Sequence, residues 1–254
     1  MDNGKDLNID RFHVDRSIYR KNISLKDKYC YRLKYKYTDL FITSDRDILK
    51  ELEAPVLSFY KEIGKVSLDE PVFEKSLVPV RARSHYPVLI KKMCRAARMF
   101  GIGPMAAVAG AVCDRIAESI AHTCRFLMIE NGGDVYIKSD MPVEIGLYSG
   151  NKYFSDRLNI KIDAEQTPCG ICSSSGSMGH SLSLGRSDLV TVMSDSAILA
   201  DAAATAIANS IKEQTDIKKA ISRYKKNKEI KGLVIIKGDR IGIWGVIQIG
   251  TMAK

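Results

Sequence analysis

FLMIENGGDVYIKS, residues 126–139, reads as a strand, a glycine turn and a second strand. Asn-Gly between two apolar runs is the strongest short hairpin signal, and a hairpin commits its strands to antiparallel pairing. Outward from it, VEIGLYSG (143–150), RLNIKID (157–163) and SDLVTVMSD (187–195) have strand character, and KGLVIIKGDRIGIWGVIQIG (231–250) forms a hairpin turning at Gly238 and Asp239. Residues 29–43, alternating apolar and polar, read as one strand. Helical periodicity covers 45–63, with Asp45 or Asp47 as its start and Pro55 as a break or restart. PVFEKSLVPV (71–80) reads as a loop, and a helix runs from about Pro87 until Gly101 and Gly103 stop it. Two alanine-rich helices follow in 106–124 and 196–213, then a basic helix near 215–228. There is no internal repeat and no low-complexity linker. The expectation is one compact α+β domain over 1–254 with a mainly antiparallel sheet, residues 1–18 forming a flexible N-terminal extension.

Composition narrows the function classes. With 45% hydrophobic and 27% charged residues in 254, the chain reads as an ordinary soluble globular protein. The longest apolar run, MFGIGPMAAVAGAVC (99–113), is shorter than the about 20 residues a bilayer needs and is broken by glycine. The N-terminal MDNGKDLNIDRF has acids and no apolar core, unlike a secretory signal, so the expected location is cytoplasmic, with no membrane contact. Six scattered cysteines imply reduced thiols. The net charge of +9 concentrates in 16–36 and 218–231; without a nucleic-acid fold signature these stretches read as solvated faces, and nucleic acid is not expected as a partner.

Four constellations carry chemistry. In LADAAATAIANS (199–210), Asp201 and Thr205 stand one helical turn apart on one face and offer hard oxygens suited to Mg²⁺, although a packing helix with a capping Asp201 has the same letters. In IENGGDVYI (129–137), Gly132 and Gly133 free the backbone to approach a ligand whose polar edge Asn131 and Asp134 would read; a plain hairpin explains them equally. CGICSSSGSMGHSLSLGRSD (169–188) sets Ser174, Ser175 and Gly176 near His180, a phosphate-cradle composition with a proton carrier. Its Cys169 and Cys172 lack a second pair for zinc, and a redox role would need a lowered thiolate pKa. GIGPMAAVAGAVCD (101–114) shapes a helix entry in which Gly103 and Met105 would lie against an anionic ligand or a neighbouring helix.

Together and in this order, GIGPMAAVAG, ENGGD, SSGSMGHS and ADAAAT resemble the ApbE-like superfamily, best known for FAD:protein FMN transferases, over roughly residues 19–249. The likeness is closer to a shorter cytoplasmic branch without an assigned activity. In the transferases a D-A-x-A-T segment gives an aspartate and a threonine to Mg²⁺ held against the FAD pyrophosphate, which implies those roles for Asp201 and Thr205. A backbone carbonyl from an alanine-glycine helix start implies Val108 or Ala109, and ENGGD implies flavin contacts at Gly132, Gly133 and Asp134. The implied chemistry is attack of an acceptor hydroxyl on the FMN phosphorus with loss of AMP, with Asp201 and His180 as catalytic groups and FAD (or FMN) and Mg as cofactors. The chain departs from the pattern after its Ser-Gly pair: GHSLSLGRSD replaces His-Ile-x-x-Pro-x-Thr-Gly. His180 takes the histidine's place, but the Pro, Thr and Gly are missing, so flavin or nucleotide binding is more strongly implied than transfer to a cytoplasmic acceptor protein. The branch also has a link to anaerobic sulfur assimilation into homocysteine, which implies an accessory role as the alternative. A homo-oligomer is compatible with either reading.

Overall fold

The computed structural model describes residues 7–11, 28–154, 158–176 and 185–251. Its strands are β1 (Asn8–Arg11), β2 (Tyr29–Tyr35), β3 (Thr38–Ser44), β4 (Leu127–Asn131), β5 (Asp134–Lys138), β6 (Val143–Leu147), β7 (Leu158–Ile162), β8 (Cys169–Ser174), β9 (Leu189–Ser194), β10 (Gly232–Lys237), β11 (Arg240–Gly245) and β12 (Gln248–Thr251). The helices are α1 (Glu53–Asp69), α2 (Val72–Lys75), α3 (Val88–Phe100), α4 (Val108–Ile120), α5 (Ala197–Ser210) and α6 (Asp216–Tyr224). Nine strands form one antiparallel sheet in the order β1-β2-β3-β4-β5-β8-β9-β10-β11, and β12-β7-β6 form a second. This is the expected α+β architecture.

Because successive side chains on a strand point to opposite faces, the large sheet supports two cores. Leu33, Leu40, Ile129, Tyr136, Cys172 and Val192 pack against the helices. Val135, Ile137, Cys169, Ile171, Met193 and Val234 face the small sheet through Val143, Leu158 and Ile160. At the centre of the helical layer lies α5, packed on β8, β9, α3 and α4. Ten of its residues are buried, seven alanines and two isoleucines beside Asp201, and the small side chains let neighbouring backbones come close.

Local chemistry explains the boundaries. Gly101 ends α3 in the left-handed conformation, φ 75°. Pro55 sits in the first turn of α1, where its missing N–H costs nothing. That helix starts at Glu53 instead of near Asp45 or Asp47, because those carboxylates are engaged elsewhere: Asp45 accepts the Arg125 and Phe126 N–H groups, and Asp47 accepts the Tyr31 hydroxyl. Residues 29–43, read as one strand, fold instead as the β2–β3 hairpin; Lys36 turns the chain at φ 51° without a glycine to announce it. Inside the segment read as a loop, α2 buries Phe73. Asn8–Arg11, within the expected N-terminal extension, pairs with β2.

Candidate functional site

Two helices that cap each other build the site. The α4 N-terminus has no side-chain cap of its own, but across the interface Asp201 Oδ2 accepts the Gly110 N–H at 2.9 Å, and the Ala109 N–H also bonds to Asp201. In return Asp114 of α4 accepts the Ala197 and Ile198 N–H groups, each at 3.0 Å, beside the conventional cap in which Ser196 accepts from Leu199. Such an approach requires glycine. A Cβ on Gly110 would lie 2.3 Å from the Ala197 carbonyl oxygen, and one on Gly170 would lie 2.4 Å from the Ala197 nitrogen.

The sheet supplies the other wall. Gly132 turns the β4–β5 hairpin at φ 67° with open space where a side chain would stand, and Gly133 accepts the Ser173 N–H at 2.9 Å. Directly across the strands from Cys172, Asp134 is aimed at the helices and is buried, and its Oδ1 has no hydrogen-bond partner among the described residues. Burial raises the Asp134 carboxyl to about 7 against the Cys172 thiol and the Ser173 N–H, which lower it. Asp201 is pushed well above the carboxylate range, first by burial and then by the negative charge of Asp134. Two buried acids thus face one another, and their strongest neighbours are a thiol, backbone N–H groups and a third acid, Asp114. Uncompensated buried charge is costly, so the pair is poised to hold a proton or a cation.

The sequence-derived residues divide into two groups. Strand alternation puts Asn131 and Ser174 on the same face as Asp134, and Thr205 lies one turn beyond Asp201, half-buried, with no hydrogen bond among the described residues. Ser175 and Gly176 leave the end of β8, with the Gly176 N–H donated to the Ser187 carbonyl. Gly103 is closely approached by the Ser76 backbone: a Cβ there would strike its carbonyl oxygen at 1.8 Å. Met105, half-buried, packs against the helical core. His180 lies outside the described residues. The reciprocal cap Asp114 and the fully buried Cys113, whose thiol donates to the Asp134 carbonyl, were not singled out from sequence. An acid inside a helix that is otherwise small and apolar was the available signal for Asp114.

The Cys-x-x-Cys pair is not a chelate or a redox couple. A spacing of three along β8 sends Cys172 to the helical core and Cys169 to the opposite one. Burial lifts Cys169 to about 12 and Cys172 well above the usual thiol value, so neither is an activated thiolate.

The oxygen donors here fit Mg²⁺: Asp201, the Thr205 hydroxyl and the Asp134 Oδ1, the last two without a partner among the described residues, are hard ligands with charge to be neutralised. Among the described residues no three His, Cys, Asp or Glu side chains converge on a point. A Mg²⁺ ion at these oxygens would need waters or phosphate oxygens to complete its shell. No single helix among the described residues is long and apolar enough to cross a membrane.

Comparison with known proteins places the chain in a lineage. A UPF0280 protein of Methanocaldococcus jannaschii is 32% identical over 222 residues, covering 85% of this chain and 90% of that protein. One from Methanococcus maripaludis strain C7 is 40% identical over 222 residues with the same coverage. The crystal structure of an ApbE protein from Thermotoga maritima matches with a TM-score of 0.59 at 15% identity, over 85% of this chain and 96% of that one. The apo flavinyl transferase ApbE of Pseudomonas stutzeri matches with a TM-score of 0.52 at 12% identity, over 85% and 93%. At such identities the likeness to both structures is one of fold. A family model described as AbpE bacteria matches residues 22–231, a span holding both mutually capped helices and the glycine hairpin, and the chain belongs to that ApbE-like family.

Proposed function

We propose that the chain binds FAD with Mg²⁺ and cleaves the flavin diphosphate, passing FMN to a hydroxyl of a protein acceptor and releasing AMP. The observation that carries this reading is the buried Asp134–Asp201 pair, one turn from the Thr205 hydroxyl: among the described residues one carboxylate oxygen and that hydroxyl have no hydrogen-bond partner, and no cation is among the pair's strongest neighbours. Such a pair is expensive in an empty protein and useful where a metal-bridged diphosphate must sit.

Bound Mg²⁺ would supply charge neutralisation at the diphosphate. Asp201 is held for that task by the α4 amides, so its orientation is set before any ligand arrives. Thr205 adds a neutral oxygen from the same helical face. Asp134 contributes the second charge, and the Gly132 turn leaves room for a flat ring to approach the backbone. Asn131 and Ser174, on the same sheet face, would orient the ligand's polar edge. Both cysteines of the Cys-x-x-Cys pair are buried, which gives no support to sulfur handling by that pair.

The test follows AMP release and flavin binding with FAD and MgCl₂. Thr205→Ala is the sharper variant, because Asp201→Ala also removes a cap from α4. AMP release that needs metal, and that both substitutions abolish, supports the reading. FAD bound tightly with no AMP released would instead favour an accessory flavin-binding role, and absence of FAD binding would overturn both.

A further inference from the structure

A cleft of about 380 Å³ opens beside the N-terminus of α5, and its walls do not include Asp134, Asp201 or Thr205. The volume lies in the range of about 300–1,000 Å³ typical of small-molecule sites. Its apolar surface comes from Ala117, Ile198, Leu199 and the ring of Tyr136. The charge is unusual for this chain: four acids, Asp114, Glu118, Asp195 and Glu229, line the cleft against two bases, Lys92 and Arg95, while the chain as a whole carries +9. Concave low-dielectric walls focus such a local excess.

A helix N-terminus ordinarily attracts anions, but this one is already satisfied. The Ala197 and Ile198 N–H groups are donated to Asp114, and the Leu199 N–H to Ser196. An incoming anion would find those donors used and a carboxylate in its way. The bases are engaged as well: Lys92 pairs with Glu118 at 2.5 Å and Arg95 with Glu229 at 3.6 Å, while Asp195 is paired from outside the cleft by Lys231. These pairs are solvent-exposed, of the kind worth little individually, so a competing cation can displace a lysine from its acid. One polar group of the lining is without a partner among the described residues. Tyr136 is 9% exposed, lines the cleft, and its hydroxyl makes no hydrogen bond among the described residues.

We propose that this cleft binds a small primary amine with an apolar body, its ammonium among Asp114, Glu118 and Asp195 and its body against Ile198, Leu199 and the Tyr136 ring. The ring adds a cation–π surface and the hydroxyl an acceptor for the ammonium. This site is independent of the flavin reading and stands whether or not that reading survives.

The test is a methyl-detected NMR titration of the full chain with phenethylamine, with 2-phenylethanol as the neutral analogue and phenylacetate as the anionic one. Saturable shifts at Ala117, Ile198 and Leu199 are expected, with the amine binding at least about tenfold more tightly than the alcohol and weakening as salt is raised. Asp195→Asn, at an exposed position, should weaken the amine at least about threefold and leave the alcohol unchanged. Tyr136→Phe should weaken the amine about twofold or more through the lost hydroxyl. Phenylacetate binding as well as the amine, unchanged amine affinity in Asp195→Asn, or absence of shifts at the lining methyls would each overturn the proposal.

Discussion

Replacing Asp114 with asparagine tests the mutual capping through its pH dependence. In the folded chain the Asp114 carboxyl is raised from its ordinary 3.8 to about 6, chiefly by burial, against the two α5 N–H groups that lower it. A folded value above the unfolded one means that the unfolded chain gives up its proton first. Ionisation of this group therefore works against folding: its favourable contribution is complete below about pH 4, declines as pH rises through about 6, and is constant above that. The span corresponds to about 3 kcal/mol. Asparagine has no such dependence, but it keeps one acceptor where the carboxylate has two, leaving one α5 N–H unpaired at about 1–3 kcal/mol. At pH 7.5 the two effects nearly offset, and the variant should lie between equal stability and about 2 kcal/mol above the parent. At pH 4.5 the parent should be the more stable. Urea unfolding of both proteins from pH 4.5 to 7.5 reads the difference directly, since the remaining titrating groups are shared. A difference that stays flat across that range would refute the reasoning, because it would mean that the α5 N–H groups fully compensate the buried charge.

Other consequences are open to measurement. Gly110→Ala should cost about 2–4 kcal/mol in urea unfolding, since its Cβ would fall 2.3 Å from a backbone oxygen and the helices would have to part; a loss under about 0.5 kcal/mol would argue against the close crossing. All six cysteines are buried and none is in a disulfide, so an aromatic disulfide reagent at pH 8 should label the native protein slowly and the urea-unfolded protein at all six; fast native labelling of Cys172 would contradict its placement. Thr205→Ala, which breaks no hydrogen bond among the described residues, should change stability by less than about 0.5 kcal/mol while abolishing metal-dependent AMP release from FAD; a large drop in melting temperature would assign the threonine to packing.

Much of the sheet and the helical pair was legible because it is written in local chemistry. The Asn-Gly turn, the Gly101 stop and the alanine-rich helices each declare themselves within a few residues. The β2–β3 turn did not, because Lys36 and Tyr37 continue the alternation of the strands they separate and no glycine marks the reversal. Strand β8 was obscured by its composition: CGICSS lacks the aromatic and β-branched bulk of an ordinary strand, and its Gly170 is small because α5 begins against it. At the candidate site, Asp201, Thr205 and the hairpin glycines could be picked from spacing. At Gly103 the two readings stayed open because a glycine that admits a ligand and one that admits the Ser76 carbonyl look alike in a sequence. The pairing of Asp201 with Gly110, 91 residues away, has no local signature at all.

That distance has a kinetic consequence. Neither α4 nor α5 holds a complete set of starting bonds within its own segment: the first turn of one waits for Asp201 and that of the other for Asp114, across 83 to 91 residues of intervening chain. Each helix is short, 13 and 14 residues, and helices of that length are marginal alone. They should therefore appear together, late, after β4, β5 and β8 have brought their ends into reach, and folding should be limited by that long loop closure instead of by local helix formation.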